Sequence, residues 1–149
     1  MTDEQAMEVA LAEAVAALAH DDVPVGAVVV HGNEIIAARH NERELTGDPT
    51  AHAEILALRD AATKLGRWRL DDCTMVVTLE PCGMCAGALI NSRIGRVVYG
   101  AADLKAGFMA SLYNVAADPR LNHNPPLRWG VAEAECQRLL TEFFAARRG

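Results

Sequence analysis

With 149 residues, 51% of them hydrophobic, the chain is long enough for one domain, spanning residues 1–149, with a genuine core. Thr2, Asp3 and Glu4 stand where a leader would carry a basic patch and an apolar run, and no window has the unbroken apolar length a bilayer demands, so the expectation is a soluble, cytoplasmic protein without a membrane. A net charge of -6 excludes an indiscriminate nucleic-acid binder, because neutralising phosphates takes clustered Lys and Arg; yet residues 67–149 carry 10 basic against 8 acidic side chains, which leaves room for a local basic face.

In chain order, Met7, Ala10, Leu11, Ala14 and Leu18 recur at spacings of three and four and predict an amphipathic helix over residues 3–20. "VPVGAVVVHGNEIIAARHN" sets two β-branched runs around His31, Gly32 and Asn33, which predicts a hairpin. "DPTAHAEILALRDAATKLG" offers Thr50 as a cap, helical alanine and leucine, and Gly66 as a stop, so His52 falls at a helix start. "CTMVVTL" has strand length, "CGMCAGALINS" follows a proline and reads as helix, and "RIGRVVYGA" supplies another strand. Strand, helix and strand imply a parallel βαβ unit. Residues 103–130, with Pro119, Pro125 and Pro126, read as loop; Cys136, Leu139, Leu140 and Phe143 then mark a last helix ending near Arg147 and Arg148.

Two short patterns carry chemistry. His52-Ala53-Glu54 alone is weak, since five histidines in this composition yield about 0.4 such pairs by chance; Pro81-Cys82-Gly83-Met84-Cys85 arises by chance only about 0.003 times. Four cysteines in a chain read as unexported favour thiols or metal ligands over a disulfide frame. His52, Cys82 and Cys85 form a three-donor set suited to Zn²⁺, with one imidazole, two thiolates and a fourth position open to water. At a helix start, Glu54 can address the same point as His52 without being needed as a ligand, and so can handle a proton there. Two blander readings stay open: a closed structural zinc with a fourth ligand from His20, His31, His40, His123, Cys73 or Cys136, and a redox Cys-x-x-Cys. Cys73 and Cys136 otherwise read as small buried hydrophobes.

"HAE" followed by "PCGMC" resembles the zinc-dependent cytidine/adenosine deaminase superfamily. Through "VPVGAVVV", "DPTAHAEILAL", "VTLEPCGMCAGALINSRIGRVVYGAAD", "KAG" and "SLYNVAADPRLNH" the chain is similar to the bacterial tRNA-specific adenosine deaminase branch over nearly its whole length. The resemblance implies a three-layer α/β/α fold of the cytidine deaminase type, with a mixed five-stranded sheet in the order 2-1-3-4-5. It implies a homodimer with one Zn²⁺ per subunit, which converts the wobble adenosine in the anticodon loop of an arginine-accepting tRNA to inosine, with Glu54 as the proton carrier.

By the same matching, Asn41 would hydrogen-bond the target base, and Asp103 would touch the anticodon-loop backbone or ribose. Lys105, His123, Phe144 and Arg147 are further RNA-contact candidates, although the last helix suggests a core role for Phe144. Asn41 and Asp103 also read as a turn asparagine and a plain loop aspartate. Two segments depart from the branch: Phe108 and Met109 in residues 107–109 replace smaller residues, and Pro125 and Pro126 in residues 124–128 predict a short or displaced fifth strand. Two other functions remain as alternatives: deamination of a free base such as guanine or cytosine, and zinc-stabilised RNA binding without catalysis.

Overall fold

The computed structural model describes residues 1–148. Helix α1 (Asp3–Ala17) starts at a capping box, in which the Thr2 hydroxyl accepts from the Gln5 amide and the Gln5 side chain accepts from the Thr2 amide. Strands β1 (Gly26–His31) and β2 (Glu34–His40) form the expected hairpin, followed by a single helical turn, α2 (Arg43–Thr46), and helix α3 (Ala53–Leu65). Strand β3 (Cys73–Leu79), helix α4 (Gly83–Asn91) and strand β4 (Arg96–Ala101) make the βαβ unit; β5 (Leu127–Trp129) and α5 (Glu133–Arg148) complete the chain.

The strands lie in the order β2-β1-β3-β4-β5. Strand β1 is antiparallel to β2 and β3, whereas β3, β4 and β5 run parallel. Alternation along each central strand divides the core between two faces. Val28, Val76 and Val98 pack with Ala6, Met7, Ala10 and Cys136 from α1 and α5. Ala27, Val29, Met75, Val77, Val97 and Tyr99 pack on the other face with Ala53, Ala57, Ala61, Ala86 and Leu89 from α3 and α4. The fold is therefore the three-layer, cytidine deaminase-like arrangement that the resemblance implies.

Contact between α1 and β1 is so close that a Cβ at Gly26 would sit 1.8 Å from the Ala10 carbonyl oxygen, so only glycine fits there. The face that the spacing predicts is the one that packs inward, with Met7, Ala10 and Ala14 buried beside Ala6 and Ala17 and Leu11 half-buried; Leu18 is exposed, because the α-helix ends at Ala17 and Leu18 opens a 3-10 turn. The fifth strand is only three residues long, as Pro125 and Pro126 lack the amide protons needed to extend its ladder. Phe143, not Phe144, is the core residue of α5, and Phe144 is exposed. Among the described residues no helix is long and apolar enough to cross a membrane.

Candidate metal centre and active site

His52 and Cys82 occupy equivalent positions, each the extended residue that caps a helix: His52 precedes α3 and Cys82 precedes α4. Asn41, rather than the expected Thr50, satisfies the start of α3, its Oδ1 accepting from the Ala53 amide at 2.8 Å. Cys85 lies in the first turn of α4, and Glu54 in the first turn of α3. Because His52 is extended and Glu54 is already helical, the two side chains do not diverge as they would deep inside a helix.

His52 Nδ1 is 3.6 Å from Cys82 Sγ and 3.5 Å from Cys85 Sγ, and the three donor atoms all lie within 4.8 Å of one another. Ordinary Zn–N and Zn–S bonds at a tetrahedral angle require N···S separations of about 3.5 Å, so the trio already has the spacing of a zinc ligand set. Among the described residues, no fourth His, Cys, Asp or Glu joins it. All four cysteines are free, and Cys73 and Cys136 are buried in the core, away from a ligand role. The three-donor geometry thus matches an open site rather than a closed structural one.

Electrostatics prepare the trio for a cation. Hydrogen bonds from the Cys85 thiol and His52 draw the Cys82 thiol down to about 3, despite the opposing cost of burial, so it is a thiolate at neutral pH. The proton stays on Cys85, pushed upward first by the Cys82 hydrogen bond and then by burial. His52 is raised above its ordinary value, first by its bond to Cys82. Beside them Glu54 is 4% exposed, and burial lifts its carboxyl to about 7. A carboxyl near 7 can both accept and release a proton at neutral pH.

The remaining expected contacts divide. Asn41 is half-buried and is held by the Ala53 amide and by its own Nδ2 donating to the Val23 carbonyl at 3.1 Å; one amide proton and one lone pair are left for a substrate. It also lines a cavity of about 220 Å³ with Arg43, Phe143 and Arg147, where the Arg147 guanidinium lies 3.3 Å from the centre of the Phe143 ring. Asp103 and Lys105 follow β4 at the same sheet end from which Cys82 follows β3, and their loop touches the site through a β-bridge between Gly107 and Cys82. Asp103 Oδ1 accepts the Lys105 and Ala106 amides, which folds the loop start into a turn.

His123 is not brought to this end: its Nε2 lies 2.5 Å from the Ile94 carbonyl oxygen, ahead of β4 and so at the opposite end of the parallel strands. Of the basic side chains in the second half, Arg67, Arg69, Arg96, Arg120, Arg128, Arg138 and Arg147 are each paired with a carboxylate. Two structural acids escaped the sequence reading. Asp22, 2% exposed, accepts the Glu44 and Leu45 amides and so fixes α2. Glu80, 1% exposed, sits between β3 and Pro81, where a charge closing an apolar strand beside the first thiolate was the available signal.

A cation-ready His/Cys/Cys trio with a buried carboxyl beside it, on this sheet order, defines the class: a hydrolytic deaminase of amino-substituted bases. The MafB19-like deaminase family model matches residues 1–148. The tRNA-specific adenosine deaminase of Bacillus subtilis (strain 168) is 46% identical, over 95% of this chain and 88% of that protein. A structure from a study of A-to-I editing by tRNA:A34 deaminases aligns with a TM-score of 0.88 and 43% identity, covering 91% of this chain and 99% of that one. A guanine deaminase from Bacillus subtilis aligns at a TM-score of 0.68 and 32% identity over 100% of this chain and 96% of its own. Within the deaminases, the chain belongs to the tRNA-specific adenosine deaminase family.

Proposed function

We propose that this enzyme is zinc-dependent and hydrolyses the wobble adenosine of a tRNA anticodon loop to inosine, in the cytoplasm and as a homodimer. The observation that carries the reading is the 3.5–3.6 Å spacing of His52 from Cys82 and Cys85, with Glu54 buried alongside, in a chain of this family. An arginine-accepting tRNA is the substrate that the family resemblance supports. The single-stranded anticodon loop presents its bases without the cost of opening a duplex.

His52, Cys82 and Cys85 would hold one zinc ion per subunit. When bound, such an ion supplies Lewis acidity that makes water a usable nucleophile at neutral pH. Glu54 takes the proton that water gives up as its oxygen bonds to C6 of adenine, and passes it to ring N1. The carboxylate then moves the second water proton to the departing amino group; the C6–N bond breaks, C6 becomes a carbonyl, and ammonia leaves. Water thus provides the oxygen and both transferred protons, and Glu54 ends unchanged. Asn41 offers its remaining donor and acceptor to the edge of the base, while Asp103 and Lys105 meet the RNA beside it. His123, which bonds to the Ile94 carbonyl at the other end of the strands, is left out of this proposed contact set.

Free guanine is a second substrate reading, favoured by the whole-chain likeness to a guanine deaminase. The test is to incubate the metal-loaded enzyme with an anticodon stem-loop bearing wobble adenosine, and separately with free guanine, cytosine and adenosine. Inosine in the stem-loop, with little conversion of the free compounds, is expected. Efficient release of ammonia from guanine with an untouched stem-loop would replace the RNA reading with the second one.

A further inference from the structure

We propose that Glu80 is a positioning residue: its buried carboxylate folds residues 103–111 into the wall of the active site and thereby places Asp103 and Lys105 for the RNA. The role rests on the RNA reading above, but its structural half can be tested independently of any substrate.

Five donors converge on this one side chain. Oε1 accepts the Asp103 amide at 3.0 Å and the Ser111 hydroxyl at 2.5 Å. Oε2 accepts the amides of Met109, Ala110 and Ser111 at 3.1, 2.9 and 3.0 Å. Both ends of the loop are thus fixed to the same two oxygens. Only an ionised carboxylate can do this, because a protonated acid or an amide replaces one acceptor with a donor that would face other donors. The loop is shaped around the group. A Cβ at Gly107 would fall 2.3 Å from the Glu80 carboxyl carbon, so the chain passes directly over it only because that position is glycine.

The fold connects this anchor to the chemistry. Leu79 ends β3, Glu80 follows, and Cys82 is two residues further on. The anchored loop returns to that same segment, with the Phe108 amide donating to the Pro81 carbonyl at 3.0 Å and Gly107 bridging Cys82. Phe108 then packs over Gly83 and against Tyr113, with 4.7 Å between its ring centre and that of Tyr113. Leu104, Leu112 and Tyr113 are left exposed on the outer side of the wall. One carboxylate therefore sets the loop that borders the metal ligands. Its charge serves as the template for the loop and is not transferred to the substrate.

The experiment compares wild type, Glu80→Gln and Ser111→Ala as metal-loaded proteins. Glu80→Gln is expected to keep its bound metal and to speed exchange of the Asp103, Met109, Ala110 and Ser111 amides at least tenfold, with β3 and β4 unaffected. KM for the anticodon stem-loop should rise at least tenfold, by a larger factor than kcat falls. If Glu80→Gln does not fold, Ser111→Ala removes one donor from the loop side and should shift the same amides and KM in the same direction, by about two- to fivefold. Unchanged exchange in a folded variant, or faster exchange with an unchanged KM, would overturn the proposal. A wild type that leaves the stem-loop untouched would instead end the RNA reading and with it the positioning role for RNA, while the exchange data would still decide whether Glu80 orders the loop.

Discussion

Glu54 at the start of α3 and Glu80 after β3 are the same residue type and are almost equally withdrawn from water, at 4% and 1% exposure, yet they are driven in opposite directions. Burial dominates at Glu54 and lifts its carboxyl to about 7. Burial opposes ionisation at Glu80 as well, but the Ser111 hydroxyl and the amides of Ala110, Asp103 and Ser111 outweigh it and hold the group below its ordinary value. The contrast shows that burial alone does not assign a role to an acid. At Glu54 burial outweighs the hydrogen bonds from its own amide and the Cys85 thiol, which leaves a carboxyl able to carry a proton; at Glu80 five donors outweigh burial and leave a fixed anion.

Metal removal should have the largest effect on the Glu54 side of this contrast. Chelation is expected to abolish deamination and to lower the melting temperature, with both restored by added Zn²⁺, as followed by activity and calorimetry. Survival of full activity in chelator would detach Glu54 from any metal-assisted chemistry.

Stability against pH should separate the two glutamates by sign. At pH 7, Glu80→Gln is expected to cost about 2–4 kcal/mol, because buried amides lose their acceptor. That cost should shrink as the pH falls below 4.5, the ordinary value, since the native Glu80 carboxyl lies lower and its stabilisation is lost only as acid protonates it. Glu54 in chelated protein behaves in the reverse way. Its unfolded form ionises near 4.5 while the folded form keeps its proton to about 7, so the wild type loses stability as pH rises through that window. Glu54→Gln removes this loss and should gain on the order of 2 kcal/mol over wild type by neutral pH. Urea titrations at about pH 4, 5.5 and 7 read both slopes; equal slopes for the two variants would erase the distinction.

The smallest effect belongs to an acid that is neither carrier nor buried anchor. Asp3 is held down to about 2, first by its hydrogen bond to Arg96, and it also pairs with Arg128. Because the Arg128 guanidinium is exposed, Arg128→Ala should cost less than about 1 kcal/mol in the same titrations. A larger loss would mean that this corner, too, belongs with the buried anchors.

These contrasts also mark what could be read in the chain. His52/Glu54 and Cys82/Cys85 were each legible as a short motif at a helix start; that the two motifs meet, 30 to 33 positions apart, followed from their complementary donor chemistry and the family resemblance and not from local geometry. "CTMVVTL" was legible as a strand to the residue because its partners cover both faces and force an apolar run. Glu80 was not, since its donors lie 23 to 31 positions downstream and only the folded loop assembles them. The capping of α3 by Asn41 was hidden for the same reason, its partner being 12 positions away. Leu18 misled because apolar spacing alone does not show that α1 stops at Ala17 and that the chain tightens into a 3-10 turn there.

The most direct measurement is inosine formation by metal-loaded Glu54→Gln on the anticodon stem-loop, with metal content determined on the same sample. The expected result is full metal occupancy with a rate about 10²–10⁴-fold below wild type, the loss typical of a missing proton carrier. A fully loaded variant that forms inosine at the wild-type rate would contradict the account.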